Sequence, residues 1–291
     1  MNSAEFHRER VIIGDAEYHI TIGGQGDPVL LLHGFPQTSL CWEQVAAQLV
    51  AEHCIVMPDL RGYGESRAPA GGDHGQGYSK REMANELVEL MITFGSDRFA
   101  VVGHDRGGRV GYRMALDHPD AVSRLAVLNI VPTLDQFEQM GRGASLGYWP
   151  WFLLAQPSPF PERLLSADPA AMLDHIFATW PQDPAAISTA HRAAYRRVLT
   201  ESVIAAMCAD YRASFHIDRL HDAADRAAGL VINSPTLVII GSEETQLHSA
   251  PDIWRTWARD LTAARVPGGH FLPEEAPEEV ADLLLPFLAP E

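Results

Sequence analysis

Apolar side chains along the chain follow two alternating rhythms. Residues 17–22 alternate polar and apolar positions, the period of a half-buried strand. Runs at 29–32, 55–57, 99–102, 125–130 and 237–240 are short, largely continuous and rich in Val, Ile and Leu. Such runs predict strands covered on both faces, as in a parallel sheet under helices. Between them, residues 80–94, 108–116 and 253–261 carry helix-like patterns, and 265–266 marks a last strand. Residues 277–288 predict a final amphipathic helix with Pro277 in its first turn. Together these elements predict an α/β fold with a mostly parallel central sheet.

The rhythm stops after Ile130. From about 132 to 220 no strand-like run occurs; the segment is aromatic- and proline-rich at first, then alanine-rich and helical. A helical cap inserted over the carboxyl edge of the sheet is the economical interpretation. It divides the chain into a core at 1–131, a cap at 132–220 and the rest of the core at 221–291. The segment GGDHGQG at 71–77 is expected to be the most flexible loop.

Composition narrows the function. The 38 acidic residues outnumber the 22 basic ones, giving a formal charge of −16 over 291 residues. Nucleic acid and anionic membrane surfaces repel such a protein, so neither is expected as a partner. Cys41, Cys54 and Cys208 are scattered, with no CxxC spacing, and the 13 histidines form no metal-ligand motif. No metal and no cofactor are expected. The polar start, residues 1–10, predicts no secretory signal, and no apolar run is long enough to span a membrane. A cytoplasmic protein is the expectation. The basic residues include one lysine, Lys80.

The chemistry concentrates at 99–109, FAVVGHDRGGR, where an apolar strand runs through Gly103-His104-Asp105-Arg106-Gly107 into a helix. This is the strand–turn–helix context of a nucleophile elbow, with Asp105 where serine usually sits. Glycines beside so sharp a turn relieve crowding. A carboxylate nucleophile suits displacement at a saturated carbon bearing a leaving group, forming an ester that water must then cleave. That second step needs a base, and His270, in the Gly-Gly-His turn after the last strand, is the candidate. Two positions compete to orient it: Glu244, three residues past Gly241, and Asn129, after the 125–128 run. An amide orients an imidazole but does not stabilise an imidazolium by charge, which favours Glu244. Asp135 ranks third. In the loop His33-Gly34-Phe35-Pro36, the Phe35 amide is expected to join the Arg106 amide in a two-donor oxyanion pocket. Arg106 and Arg109 lie one helical turn apart, a fork suited to a substrate carboxylate. A carboxylate beside a displaced group points to a 2-halo acid, so a small anionic substrate is the expected partner.

At this point the chain resembles the fluoroacetate (haloacetate) dehalogenases of the α/β-hydrolase superfamily along nearly its whole length. The resemblance rests on HGFPQT at 33–38, PDLRGYGES at 58–66, GHDRGGR at 103–109, YWPWFLLAQPSPFPE at 148–162, ADYRAS at 209–214 and GHFLPEEAPEE at 269–279. HDRGGR and the cap segment are the specific matches; the others are shared with epoxide hydrolases. The resemblance implies an α/β-hydrolase fold, attack by Asp105, carboxylate binding by Arg106 and Arg109, and hydrolysis through His270. It also implies a halide pocket of a His, a Trp and a Tyr, of which Trp151 and Tyr211 match the last two, and a homodimer.

Two positions depart from the family pattern. Pro150 stands where the halide-binding His is expected, which weakens the case for fluoride more than for chloride or bromide; Tyr148 or His216 are candidate substitutes. Asn129 stands where the family carries an acid after the sixth strand. Two other functions compete. An epoxide hydrolase would use the same Asp–His pair with cap tyrosines Tyr148 and Tyr211, but would leave Arg106 and Arg109 nothing to bind. A non-catalytic receptor for a small acid is the third.

Overall fold

The computed structural model describes residues 6–141 and 146–289. Their strands form one eight-stranded sheet in the order β1-β2-β4-β3-β5-β6-β7-β8. The strands are β1 His7–Ile13, β2 Ala16–Gly23, β3 Asp27–Leu32, β4 His53–Pro58, β5 Phe99–His104, β6 Val122–Leu128, β7 Thr236–Gly241 and β8 Leu261–Val266. β2 pairs antiparallel with β1 and β4, and the pairs from β4 to β8 are parallel. The sheet is mostly parallel, as the apolar rhythm predicts, and the fold is that of an α/β hydrolase, as the family resemblance implies. Both faces of the sheet are covered. Val101, Val127 and Val238 face one buried cluster, while Val102, Ala126 and Ile239 face another. This is why the strands read as continuous apolar runs.

Four local readings are corrected. β1 lies in a stretch read as a polar chain start. It is an edge strand with mostly half-exposed or exposed residues, so its sequence carries charge rather than an apolar run. The helix expected at 253–261 is shorter, Ala250–Trp254. Beyond it Ala258 bridges to Ile232 and Leu261 opens β8, so sheet pairing captures the segment. The loop at 71–77 packs against the cap: it leads into a short 3-10 turn, Gln76–Tyr78, whose Tyr78 is buried with Ala206, Ala209 and Ala213. Finally, the boundary drawn after residue 220 falls inside the helix Arg219–Ala228. That helix is anchored by Arg113 of the core, which donates to Asp222 at 2.7 Å and also bonds Asp225.

Between β6 and β7 all described elements are helical, running from Thr133–Gln139 to Arg219–Ala228. Trp151 and Tyr211 of these helices line a cavity together with Asp105 and Asn129, which follow the carboxyl ends of β5 and β6. The chain leaves β3 toward β4 on one side and returns to β5 on the other, so the strand order reverses between β3 and β5. Loops diverge at such a reversal and leave a crevice. The loops carrying Phe35 and Asp105 flank it. No helix among the described residues is long and apolar enough to cross a membrane.

Candidate active site

Asp105 sits at the turn between β5 and the helix Asp105–Asp117, in a left-handed backbone conformation with φ 44°. For a non-glycine residue this conformation costs about 1–3 kcal/mol and persists only where neighbours enforce it. Close backbone approach enforces it here. A Cβ on Gly103 would lie 2.5 Å from the Gly107 carbonyl oxygen, and one on Gly107 would lie 2.3 Å from that of Leu32. Gly34 is equally constrained: a side chain there would meet the Asp105 Cβ at 2.5 Å. The bare backbone at Gly34 lets the next amide reach the Asp105 carboxylate, and the Phe35 N–H donates to Asp105 Oδ1 at 2.8 Å. Among the described residues, nothing donates to Oδ2. Of the two amides expected to form an oxyanion pocket, that of Phe35 holds the Asp105 carboxylate, and no hydrogen bond from the Arg106 amide to it occurs among the described residues.

Asp105 is nearly buried, which pushes its pKa up. The charges of His270 and then Arg106 outweigh burial and hold the carboxyl below its usual range. The group is thus ionised without its charge being spread into water, the state required of a nucleophile.

His270 follows β8. Its Nδ1 lies 3.3 Å from Glu244 Oε1, after β7, and its Nε2 is buried with no partner among the described residues. A carboxylate beside Nδ1 fixes the proton on that nitrogen and leaves the Nε2 lone pair free. Burial lowers the His270 pKa, but the Glu244 hydrogen bond and charge, and the charge of Asp105, raise it above the usual value. Adjacent His104 is pulled down to about 3, by burial and then by the charge of His270. It is therefore neutral, and its Nε2–H donates to the His270 carbonyl at 2.7 Å.

Asn129 does not reach the imidazole. Its amide Nδ2 donates to the carbonyls of Gly269 and His270 at 2.8 and 2.9 Å, and its Oδ1 accepts from the Gly241 N–H at 2.8 Å. The side chain is a backbone clamp, and three amide hydrogen bonds fix where it points. Asp135 is likewise engaged elsewhere, accepting from the Trp257 indole at 2.9 Å. Sequence reasoning missed Glu275. Its carboxylate accepts from the amides of Gly269 at 2.9 Å, Phe271 at 2.7 Å and Gln182 of the cap at 2.6 Å. The only signal was an acid five residues past the histidine.

The two arginines are not equivalent. Arg106 is fully buried and grips Asp210 side-on, Nε to Oδ2 at 2.8 Å and Nη2 to Oδ1 at 2.7 Å. The bidentate edge expected to face a substrate is thus occupied by a cap carboxylate, and Nη1 is the nitrogen left without a partner. Arg109 bonds only neutral oxygens: the Val131 carbonyl at 2.9 Å, Thr133 Oγ1 at 3.3 Å and Gln136 Oε1 at 3.3 Å. Burial and then repulsion from Arg106 pull its pKa below the usual guanidinium value, so its charge is held at a cost that an incoming anion would relieve. Both guanidinium carbons flank the Trp151 ring, at 5.1 and 4.5 Å from its centre.

A cavity of about 310 Å³ opens above Asp105. Asp105, Arg109, Glu244, His270, Trp151 and Tyr211 line it, together with Pro150 and Tyr148; Arg106 lies behind this wall. Trp151 and Tyr211 stack edge to face at 5.5 Å, and the Tyr211 ring meets Phe35 at 5.3 Å. Neither the Trp151 N–H nor the Tyr211 O–H has a hydrogen-bond partner among the described residues. His216 does not reach the cavity; it stacks on His74 at 4.3 Å. Gln136 and Trp180, which the sequence did not single out, complete the wall. Trp180 packs its ring 5.0 Å from that of His270, and its backbone carbonyl accepts the His270 backbone N–H at 3.2 Å.

Comparison with known proteins shows the family of the chain. The family model for the alpha/beta hydrolase fold matches residues 27–277. The chain is 41% identical to a fluoroacetate dehalogenase from Burkholderia sp over 98% of this chain and 94% of that protein. It is 30% identical to a soluble epoxide hydrolase from Corynebacterium sp. (strain C12), covering 99% of each. A crystal structure of an α/β hydrolase from Nostoc sp PCC 7120 superposes with a TM-score of 0.95 at 40% identity, covering 98% of each chain. With an aspartate on its elbow and a dehalogenase matching it end to end, the chain belongs to the haloacetate dehalogenase family of the α/β-hydrolase superfamily.

Proposed function

We propose that the protein hydrolyses the carbon–halogen bond of a short 2-halo acid, giving the 2-hydroxy acid and halide. The observation that carries this reading is Arg109, a buried guanidinium without a carboxylate partner among the described residues, on the wall that also holds Asp105. An uncharged substrate leaves that cation uncompensated, whereas a carboxylate satisfies it and sets the neighbouring carbon near the nucleophile.

With Oδ1 held by the Phe35 amide, Oδ2 of Asp105 attacks the halogen-bearing carbon. The carbon–halogen bond breaks, and halide departs with the bonding pair toward the free donors of Trp151 and Tyr211. The product is an ester on Asp105. Esterification removes the Asp105 charge, one of the charges that raise the His270 pKa, and so shifts the imidazole toward the neutral form that acts as base. Water attacks the Asp105 carboxyl carbon and gives its proton to His270 Nε2, while Glu244 stabilises the imidazolium. Negative charge develops on Oδ1, which the Phe35 amide and the helix N-terminus already face. Collapse releases the hydroxy acid, whose oxygen recovers the proton from His270, and Asp105, left as a carboxylic acid by the second hydrogen of the water, loses that proton to solvent. Water is the only co-reactant.

Pro150 offers no donor where a histidine is expected. Losing one donor costs about 2.7–4 kcal/mol where a developing anion depends on it. Chloride and bromide leave with less assistance than fluoride, so chloroacetate and bromoacetate are the favoured substrates.

Halide release from fluoro-, chloro- and bromoacetate tests the reading. Chloride and bromide release abolished in Asp105→Ala is expected; no release from any 2-halo acid refutes it. Epoxide hydrolysis is the second reading, favoured by Tyr148 and Tyr211 on the cavity wall. Turnover of styrene oxide without halo-acid activity would establish it instead.

A further inference from the structure

Behind the cavity lies a group of charged side chains centred on Arg106, most of which lie outside the cavity wall. Asp210 is fully buried on the cap helix Glu201–Ala213. One edge of its carboxylate binds Arg106, as described above. The Tyr63 hydroxyl donates to its Oδ2 at 2.7 Å, and Lys80 pairs with its Oδ1. Lys80 is buried as well, with Asp218 of the cap at 3.6 Å from its Nζ. Asp218 also accepts the Lys80 backbone N–H at 2.8 Å. Ser214 closes the circuit, accepting from Arg106 Nη2 at 2.6 Å and donating to Asp218 at 3.0 Å. Arg106, Lys80 and Tyr63 come from the core; Asp210, Ser214 and Asp218 come from the cap.

The composition makes this position unusual. Every other basic residue in the chain is arginine, and the one lysine stands here. A compact ammonium fits between two carboxylates where a planar guanidinium would need a wider fork. The formal charges of Arg106, Lys80, Asp210 and Asp218 sum to zero, so the group is self-contained in a dry environment.

We infer that the Asp210–Lys80 pair is a positioning device for Arg106, clamping its Nε–Nη2 edge so that Nη1 is turned toward the carboxylate of the bound substrate. This rests on the halo-acid reading and extends it. Lys80 and Arg106 share the Asp210 carboxylate, which engages the Nε–Nη2 edge of Arg106 and leaves Nη1 without a partner among the described residues. Because Asp210 precedes Tyr211 on the same helix, the seat of the cap and the pose of Arg106 are set together. Carboxylate binding then depends on a cap residue that never touches the substrate.

The test is Asp210→Asn, with Lys80→Met as a second variant because removing one partner from a buried ion cluster destabilises a protein. Two readouts are needed: kcat and KM for chloroacetate, and calorimetric binding of acetate, which has the carboxylate but no leaving group. The inference expects KM and the acetate Kd to rise at least tenfold together, with kcat within about threefold of wild type. Unchanged KM and acetate Kd overturn it, as does a fall in kcat at constant KM. If the wild type releases no halide, the halo-acid reading fails, while acetate binding to wild type and variants still decides the role of Asp210.

Discussion

Asn129 holds His270 by its backbone and Glu244 holds it by its ring. The Asn129 amide donates to the His270 carbonyl at 2.9 Å, whereas Glu244 Oε1 lies 3.3 Å from the imidazole Nδ1. Backbone clamp and electrostatic partner are therefore divided between two residues, Asn129 just after β6 and Glu244 after β7. Asn129→Ala removes three hydrogen bonds from buried backbone groups. A loss of about 2–4 kcal/mol is expected, given about 1 kcal/mol net per bond and more where a buried group is left unpaired. Chemical denaturation measures it, and kcat should fall with it as the His270 loop slackens.

Glu244→Gln should change the pH profile. The base must be neutral to act, so hydrolysis falls as pH drops through the His270 pKa. Glu244 raises that pKa, both by its hydrogen bond and by its charge. In the variant the acid limb should move to lower pH, while the plateau falls by about 10²–10⁴-fold because the imidazolium loses its counter-charge. A profile of ester hydrolysis after a single chloroacetate turnover measures both.

Arg109→Leu should cost more affinity than any surface arginine. Charge-assisted hydrogen bonds contribute about 1.5–3 kcal/mol, so KM for chloroacetate should rise about 10–100-fold. Steady-state kinetics, with Arg197→Leu as an exposed control, makes the comparison. The same substitution should leave folding largely intact, since Arg109 has only neutral partners to lose.

His191 of the cap joins the core through Glu274 at 2.6 Å and Glu43 at 3.1 Å. The Glu274 hydrogen bond raises its pKa, against the lowering effect of burial. Such a group stabilises the fold fully below its unfolded pKa of about 6.5, and the contribution is lost as pH rises through the raised folded value. The Tm difference between wild type and His191→Gln should therefore be largest near pH 6 and shrink above it. A difference that grows toward pH 9 would contradict this linkage.

Much of this was legible in the sequence. Apolar runs marked the inner strands because a parallel sheet buried on both faces leaves them no polar side. The turn Gly103–Gly107 and the Gly-Gly-His turn marked Asp105 and His270 because close backbone approach demands small residues at fixed spacing. The edge strand β1 escaped notice because one neighbour and much exposure impose no apolar pattern.

Tertiary structure alone decided which acids serve the site. Glu244, Asn129 and Asp135 are alternatives along the chain, and nothing local separates a carboxylate that meets an imidazole from one that meets an indole. That depends on where β6, β7 and β8 end relative to one another. The inequality of Arg106 and Arg109 is of the same kind. One turn of helix makes them look like a pair, but Asp210, a hundred residues away, reaches only one of them. Local chemistry marks Asp105 and His270 as the candidate nucleophile and base; long-range packing assigns each remaining charge its partner.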